Sequence, residues 1–234
     1  MNGVLRERVV VLTGATGGLG HAFAKRLTEA GCRLFLTGRH ADPLALMSHA
    51  LPGSAWLAAD LTAPDACETI MAEAERRFGQ VDVLINNAGI FPVGPFVESD
   101  PEVYETCFAV NVRAPIRLSR LALPGMVARG WGRLIHIGSS SAYAGFRNTA
   151  LYCASKHALL GFSRSLHDEL RESGVRSICL SPGSLQTPMG RQVPGQDFST
   201  FIDPDDVAEY LVFLLSASGN MVSEEVRLNR VVIR

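Results

Sequence analysis

The chain lacks several features that would assign it to other classes of protein. Its 234 residues contain no uninterrupted stretch of about 18 apolar residues, the length needed to span a membrane. Its 22 basic and 23 acidic residues leave a net charge of -1, without the basic stripe typical of nucleic-acid-binding proteins. Runs of like charge, low-complexity tracts and internal repeats are also missing. The composition therefore favours a small molecule as partner over a nucleic acid or a membrane.

Cysteine is scarce and scattered. The residues Cys32, Cys67, Cys107, Cys153 and Cys179 are odd in number and form no Cys-x-x-Cys pair. This pattern argues against a disulfide framework and against a structural zinc site. Residues 1–7 contain no apolar signal core. We therefore expect a protein without a bound metal, in a reducing, cytoplasmic setting.

Apolar segments alternate with helical patterns along the chain. The apolar segments are largely continuous, which is typical of parallel strands buried on both faces. The predicted strands are Arg8–Thr13, Arg33–Thr37, Ala55–Ala59, Val81–Ile85, Arg133–Ile137, Val175–Leu180 and a seventh within Glu225–Ile233. The predicted helices are His21–Ala30, Pro64–Phe78, two within Pro101–Ala128, Ala150–Glu172 and Pro204–Ser216.

Repeated strand–helix units predict an α/β fold. We expect a single doubly wound, Rossmann-like domain over residues 1–234, with about seven parallel strands and helices on both faces. Ligands bind such sheets beyond the carboxyl ends of the strands. Functional residues are therefore expected in the segments that follow the strands.

A glycine-rich turn follows the first predicted strand and opens a helix. Residues 13–20 read Thr-Gly-Ala-Thr-Gly-Gly-Leu-Gly. Small residues let the backbone approach a pyrophosphate, and the helix N-terminus offers free N–H groups and the positive end of its dipole. The alternative is a tight turn that binds no ligand. The glycine-rich turn, however, lies between a strand and a helix, which is the context that dinucleotide binding requires.

No acidic residue follows the second strand. NAD-binding units usually carry Asp or Glu about 20 residues beyond the glycine turn, where it binds the ribose 2′-hydroxyl. Here the strand is followed by Gly38 and Arg39. A guanidinium can pair bidentately with a 2′-phosphate, which a carboxylate would repel. Arg39 therefore favours NADP(H) over NAD(H), with a solvated surface arginine as the alternative.

Tyr152 and Lys156 share one face of the long predicted helix, because they are four positions apart. A free tyrosine has a pKa of about 10. A nearby ammonium and an oxidised nicotinamide ring would lower the pKa of Tyr152 toward neutrality, as general acid–base catalysis requires. The pair alone also arises by chance, as a core tyrosine beside a surface lysine.

Taken together, the motifs resemble the short-chain dehydrogenase/reductase family over essentially the whole chain. The resemblance is carried by Thr-Gly-x-x-x-Gly-x-Gly at 13–20, Asn-Asn-Ala-Gly at 86–89, Tyr-x-x-x-Lys at 152–156 and Pro-Gly at 182–183. It implies that Tyr152 is the acid and base and that Lys156 holds the cofactor ribose and tunes Tyr152. Ser139, 13 residues before the tyrosine, would orient the substrate carbonyl, with Ser140 as the alternative. Asn111 would bend a helix and support a proton relay.

The resemblance also implies which residues bind the cofactor. They are Thr13, Gly14, Thr16, Gly18, Leu19, Gly20, Arg39, Asp60, Leu61, Asn87, Ala88, Gly89, Tyr152, Lys156, Pro182, Gly183, Leu185 and Thr187. Asp60 has an alternative role as a turn or N-cap residue. His136 is expected to be structural, on the opposite face of its strand from Ser139.

Apolar residues near the expected site suggest a moderately apolar substrate pocket, unless they belong to the core. They are Phe91, Val93, Phe96, Tyr143, Phe146, Leu185 and Met189. The stretch Gly190–Asp203 stands where many relatives have a longer helical lid, which suggests an open pocket.

The sequence thus predicts an NADP(H)-dependent oxidoreductase. It would transfer hydride reversibly between nicotinamide and a carbonyl or alcohol carbon, with ketone reduction as the working direction. There are two alternatives. One is a non-enzymatic NADP(H)-binding sensor or scaffold, and the other is an epimerase or dehydratase with the same Tyr/Lys pair. The expected partners are a small carbonyl or alcohol substrate and further copies of the chain, as a dimer or tetramer.

Overall fold

A computed structural model describes residues 4–193, 195–217 and 222–231. Across these residues the strands are β1 (Val9–Thr13), β2 (Arg33–Gly38), β3 (Ala55–Ala58), β4 (Val83–Asn86), β5 (Gly132–Ile137), β6 (Val175–Pro182) and β7 (Glu225–Leu228). They form one parallel sheet in the order β3-β2-β1-β4-β5-β6-β7. The prediction of a doubly wound sheet with seven parallel strands is confirmed. The predicted end of the seventh strand, Ile233, lies outside the described residues.

The helices are α1 (Gly18–Glu29), α2 (Ala41–Ala50), α3 (Ala66–Phe78), α4 (Pro101–Phe108), α5 (Ala114–Ala128), α6 (Ala150–Glu169) and α7 (Pro204–Ser216). A π-helical turn, Ala109–Arg113, joins α4 to α5 without a break. In the described part of the chain, no helix is long and apolar enough to cross a membrane. The five cysteines are free and buried.

Two hydrophobic cores cover the two faces of the sheet. One core packs the sheet against α1, α2 and α7, and the other packs it against α3, α5 and α6. Val10 and Leu12 of β1 belong to the first core, whereas Val11 belongs to the second. Successive side chains of a strand point to opposite faces, so both sets must be apolar. This is the physical reason for the continuous apolar runs in the sequence.

The observed ends of several helices differ from the predicted ones, and one observed helix was not predicted. α2 was missed because only Leu44 and Met47 are buried along it, which leaves little apolar periodicity. α1 begins at Gly18 rather than His21, because the glycine turn runs directly into the helix. α6 ends at Glu169 rather than Glu172, and α3 begins at Ala66 rather than Pro64.

The carboxyl ends of β1 and β4 are tied together where the strand order reverses. The Thr13 hydroxyl accepts hydrogen bonds from the backbone N–H groups of Asn87 and Ala88, both at 3.0 Å. The Asn87 amide in turn donates to the carbonyls of Thr13 and Gly14, at 2.9 and 3.0 Å. These bonds fix the glycine turn against the segment that follows β4. The crevice expected at the switch point of such a sheet is therefore built from both motifs.

Gly14 and Gly20 are required by close backbone approach. Gly14 has a φ of +62°, and a Cβ there would lie 2.8 Å from the Ala88 Cα. A Cβ at Gly20 would lie 2.8 Å from the Ala15 carbonyl oxygen and closer still to that of Gly14. The obstructing atoms belong to the backbone of Ala88 for Gly14 and to the backbone of the turn for Gly20, so they cannot rotate away.

Gly20→Ala is therefore expected to destabilise the protein by about 1–3 kcal/mol, the range for overpacking a close contact. Gly161→Ala is the matched control, because Gly161 occupies an exposed position of α6 where an added Cβ would meet nothing within 4 Å. That substitution should raise stability by about 0.5–1 kcal/mol, since glycine is a poor helix former. Urea denaturation of both variants measures this, and an unchanged midpoint for Gly20→Ala would contradict the close approach.

Candidate active site

Tyr152 and Lys156 lie on the buried face of α6, above the carboxyl end of β5. Tyr152 is 9% exposed and Lys156 is 5% exposed. The Lys156 ammonium donates a hydrogen bond of 2.7 Å to the Ile137 carbonyl, and its Nζ lies 5.6 Å from the centre of the Tyr152 ring. The helical spacing of the two residues thus places a cation next to a buried phenol.

Burial shifts the pKa values of both groups toward their neutral forms. It raises the pKa of Tyr152 to about 12, opposed by a hydrogen bond with the Ser139 hydroxyl. It lowers the pKa of Lys156 to about 8. In the protein residues alone, burial therefore raises the pKa of Tyr152, whereas a lowered pKa was predicted from the sequence. That prediction also invoked the charge of an oxidised nicotinamide ring, so it applies only to the complex.

Ser139 lies beside the phenol, just beyond β5. Its backbone is extended, and its hydroxyl oxygen accepts a hydrogen bond of 3.1 Å from the Ser141 N–H, which starts a short turn over Ser140–Ala142. The contact with Tyr152 belongs to the Ser139 hydroxyl. Of the two serines considered from the sequence, the geometry favours Ser139 over Ser140.

Asn111 sits in the π-helical turn and holds the backbone that follows β4. Its carboxamide accepts from the Ile90 N–H at 2.9 Å and donates to the Ile90 carbonyl and the Ser155 hydroxyl, both at 3.0 Å. π-bulges often mark functional sites in helices. A Cβ at Gly89 would lie 3.4 Å from the Asn111 amide oxygen and 3.8 Å from the Lys156 Nζ. Gly89 therefore lies next to both side chains, at ordinary van der Waals distances.

The pair Asn86 and His136 lies beneath the site and was not identified as a unit from the sequence. The residues face each other across β4 and β5, with the Asn86 Nδ2 at 3.3 Å from the His136 Nδ1. The His136 ring also packs edge-on against Phe162, at a centroid distance of 5.4 Å. Complete burial, with a smaller effect of the Lys156 charge, lowers the pKa of His136 to about 3. His136 is therefore neutral and leaves Lys156 as the local cation.

The N-terminus of α1 has the properties of an anion-binding site. Its N-cap, Gly17, contributes no side-chain cap, and no acidic residue occupies the first turn. The positive end of the helix dipole is thus left without a counter-charge from its own helix. Thr187 packs across the entrance, since a Cβ at Gly18 would lie 2.8 Å from the Thr187 Cγ2. This cradle suits a pyrophosphate.

Arg39 and Thr16 lie at the carboxyl ends of β1 and β2. Arg39 is exposed, and the Thr16 hydroxyl faces Gly38, within 3.5 Å of where a Cβ would stand. Asp60 uses its carboxylate to accept from the N–H and hydroxyl of Thr62, at 2.9 and 2.8 Å. These bonds lower the pKa of Asp60, and the charge of Arg39 adds a smaller effect. Asp60 thus has the geometry of a turn residue, the alternative considered from the sequence.

The segment after β6 is anchored by its backbone. The Gly183 N–H donates to the Leu228 carbonyl at 2.8 Å, which leaves Pro182 and Gly183 at the edge of the site. Leu185 pairs with Ile202 in a short bridge and packs against the first core. Leu185 is therefore partly a core residue, which was the alternative to a place in the substrate pocket.

The apolar residues considered for the substrate pocket differ in their contacts and in their exposure. The Tyr143 hydroxyl lies 3.4 Å from the Ser181 hydroxyl, and the Arg227 guanidinium covers its ring, so Tyr143 supports β6 and β7. Phe91 packs directly against Tyr152, with ring centres 4.7 Å apart and planes at 74°. The exposed members are Val93, Phe96, Phe146 and Met189. In the described residues, no cluster of His, Cys, Asp and Glu is suited to hold a metal ion.

A buried Tyr/Lys pair beside a serine hydroxyl and a glycine-rich helix N-terminus defines an α/β oxidoreductase site. The family model for short chain dehydrogenases matches residues 8–197. The chain therefore belongs to the short-chain dehydrogenase family.

Known relatives match the chain over nearly its whole length. An uncharacterized oxidoreductase of Staphylococcus saprophyticus is 29% identical, over 98% of each chain. The crystal structure of a 3-ketoacyl-(acyl-carrier-protein) reductase from Brucella melitensis, complexed with NADH, superposes with a TM-score of 0.89 at 26% identity, over 96% of this chain and 97% of that one. A metagenomic short-chain oxidoreductase in complex with NADP superposes with a TM-score of 0.86 at 30% identity, over 98% and 99%.

The buried ammonium of Lys156 should make the stability of the protein depend on pH. Below pH 8 it is charged in the folded and unfolded states, so the full cost of burial applies. Between pH 8 and 10.5 the unfolded chain binds the proton more tightly, and stability therefore rises with pH. Lys156→Met should be more stable than the wild type at pH 7, by about 1–3 kcal/mol.

Denaturation of the cofactor-free protein from pH 7 to 10 measures this effect. The stability gap between Lys156→Met and the wild type should narrow as the pH passes 8. Lys25→Met, which alters a half-exposed lysine on α1, is the control for the loss of a lysine side chain. A gap for Lys156→Met that did not change would contradict the burial of a charged group.

Proposed function

We propose that the protein is an NADP(H)-dependent oxidoreductase that reduces the carbonyl group of a small molecule. The observation that carries the proposal is the buried Tyr152 phenol, which lies beside the Ser139 hydroxyl and the Lys156 ammonium. A neutral phenol can donate its proton to a carbonyl oxygen, and the preference for NADPH that Arg39 supports favours reduction as the working direction. The residues of one domain would then carry both the cofactor site and the substrate site.

The side chains of the site have separate tasks in this reaction. The hydroxyls of Ser139 and Tyr152 bind the carbonyl oxygen, where negative charge develops. Tyr152 then gives its proton to that oxygen, and the Lys156 ammonium stabilises the phenolate that remains. The nicotinamide, when bound, supplies the hydride. Asn111 keeps the Ile90 backbone and α6 in register, and in this proposal supports proton transfer between Lys156 and solvent.

The cradle at α1 and the cluster of Thr16, Gly38 and Arg39 support a phosphorylated dinucleotide. The α1 N-terminus suits the pyrophosphate, and Arg39 suits a 2′-phosphate because no carboxylate occupies the end of β2. Solved relatives contain NADH in one case and NADP in another, so the preference of this chain rests on Arg39 and Gly38. The hydroxyls of the cofactor ribose would bind Tyr152 and Lys156.

Self-association as a dimer or tetramer remains a prediction. A groove of about 580 Å³ between α5 and α6 supports it, because Ile116, Leu123 and Val127 line it. The mass in solution, measured by light scattering, tests the prediction, and a monomer at all concentrations would contradict it.

Tyr152→Phe should reduce ketone-dependent NADPH oxidation by about 100-fold or more, because the proton donor is lost. The affinity for NADPH, measured by nicotinamide fluorescence, should change by no more than about tenfold, the value of one hydrogen bond. Tyr210→Phe on α7 is the matched control and should keep full activity. Binding of NADPH without turnover of any ketone or aldehyde would instead favour a sensor. A tightly retained cofactor with no net turnover would favour an epimerase or dehydratase.

Arg39→Ala should raise the Michaelis constant for NADPH by about tenfold or more, the value of a charged hydrogen bond to phosphate. The constant for NADH should change little, because NADH has no 2′-phosphate. Steady-state kinetics with both cofactors measure the difference, with Arg77→Ala, an exposed arginine on α3, as control. Equal changes for the two cofactors would contradict the role of Arg39.

A further inference from the structure

Two loops beside Tyr152 expose large apolar side chains to solvent. The first follows β4 and spans residues 90–99, and the second precedes α6 and spans residues 143–149. The Gly94 N–H donates to the Asn148 carbonyl at 2.9 Å, which joins the two loops. Phe96 is 67% exposed, Val97 90% and Phe146 49%. We call the apolar side chains of these two loops, Phe91, Val93, Phe96, Val97 and Phe146, the apolar rim.

Hydrogen-bonded turns hold these side chains in their exposed positions. Phe96 and Val97 lie in a 3-10 turn closed by bonds from the Glu98 N–H to the Pro95 carbonyl and from the Ser99 N–H to the Phe96 carbonyl, at 3.0 and 3.1 Å. The Thr149 hydroxyl donates to the Phe146 carbonyl at 2.9 Å. Apolar surface held exposed in ordered structure is typical of a binding site.

One member of the apolar rim, Phe91, contacts the catalytic phenol. Phe91 packs against the Tyr152 ring at 4.7 Å, and Asn111 fixes the neighbouring Ile90 backbone on both its N–H and its carbonyl. Residues 90–97 read Ile-Phe-Pro-Val-Gly-Pro-Phe-Val and have no side chain able to form a hydrogen bond. A substituent of the reacting carbonyl that extends along this segment therefore contacts only hydrocarbon side chains and backbone.

We propose that the substrate is a hydrophobic carbonyl compound whose extended alkyl or aryl portion binds against the apolar rim. This inference rests on the proposed function for the position of the carbonyl, but its evidence is the rim itself. When a short or highly polar carbonyl compound binds, the rim side chains stay exposed to water and add nothing to its affinity. Each methylene group that the rim buries increases affinity by up to about fourfold.

A series of methyl ketones from butanone to decanone tests this inference. With NADPH, kcat/KM should rise along the series by about two- to fourfold for each methylene, until the rim is covered. Phe96→Ala and Phe146→Ala should flatten this dependence, because they should lower kcat/KM for decanone several times more than for butanone. Phe213→Ala on α7 is the matched control, because Phe213 is 47% exposed and belongs to neither loop. It should keep the full dependence on chain length.

Binding of the same ketones, measured by calorimetry with NADP+ present, separates this inference from the proposed function. An affinity that rises with chain length and is lost in Phe96→Ala supports the inference, even if no ketone is reduced, in which case the proposed function fails alone. Reduction of butanone with no dependence on chain length, in rate or in affinity, would overturn the inference and leave the proposed function standing.

Discussion

The buried ammonium of Lys156 is the constraint on which the rest of the site depends. Its hydrogen bond to the Ile137 carbonyl fixes it at the end of β5, and the pitch of α6 then places Tyr152 beside it. Burial, with a smaller effect of the same charge, disfavours protonation of His136, so a histidine can occupy the strand below without adding a second cation.

A buried charge costs stability, and the fold around it offsets that cost. The sheet is packed by apolar cores on both faces, and Thr13 and Asn87 link β1 to β4 at the point where the chain reverses direction across the sheet. Rigid strands therefore deliver the glycine turn, Ser139 and the Pro182 segment to one edge. The loops around that edge differ in character, with polar groups beside α1 and hydrocarbon beside Tyr152. In the proposed function, this asymmetry separates a cofactor half from a substrate half.

Much of the fold was predictable because strand burial leaves a direct trace in the sequence. A strand covered on both faces must be apolar throughout, and α7 was predicted with its observed bounds because Asp203 and Pro204 mark its start. Features that depend on burial or on register were not predictable. The sign of the Tyr152 pKa shift depends on how deeply α6 packs, and the pairing of Asn86 with His136 depends on the register of β4 and β5. The contacts of Tyr143 were not predictable for the same reason, since its partners Ser181 and Arg227 come from distant segments.

The most direct test of the account is a spectrophotometric titration of the Tyr152 phenol. The difference between the wild-type protein and Tyr152→Phe, followed at the phenolate absorbance band, isolates this one group. In the free protein Tyr152 should titrate with a pKa of about 12. Binding of NADP+ should lower that pKa below the free-tyrosine value of about 10, because a second positive charge then faces the phenol. A pKa that stays the same on binding NADP+ would contradict a role for Tyr152 as the acid and base of the reaction.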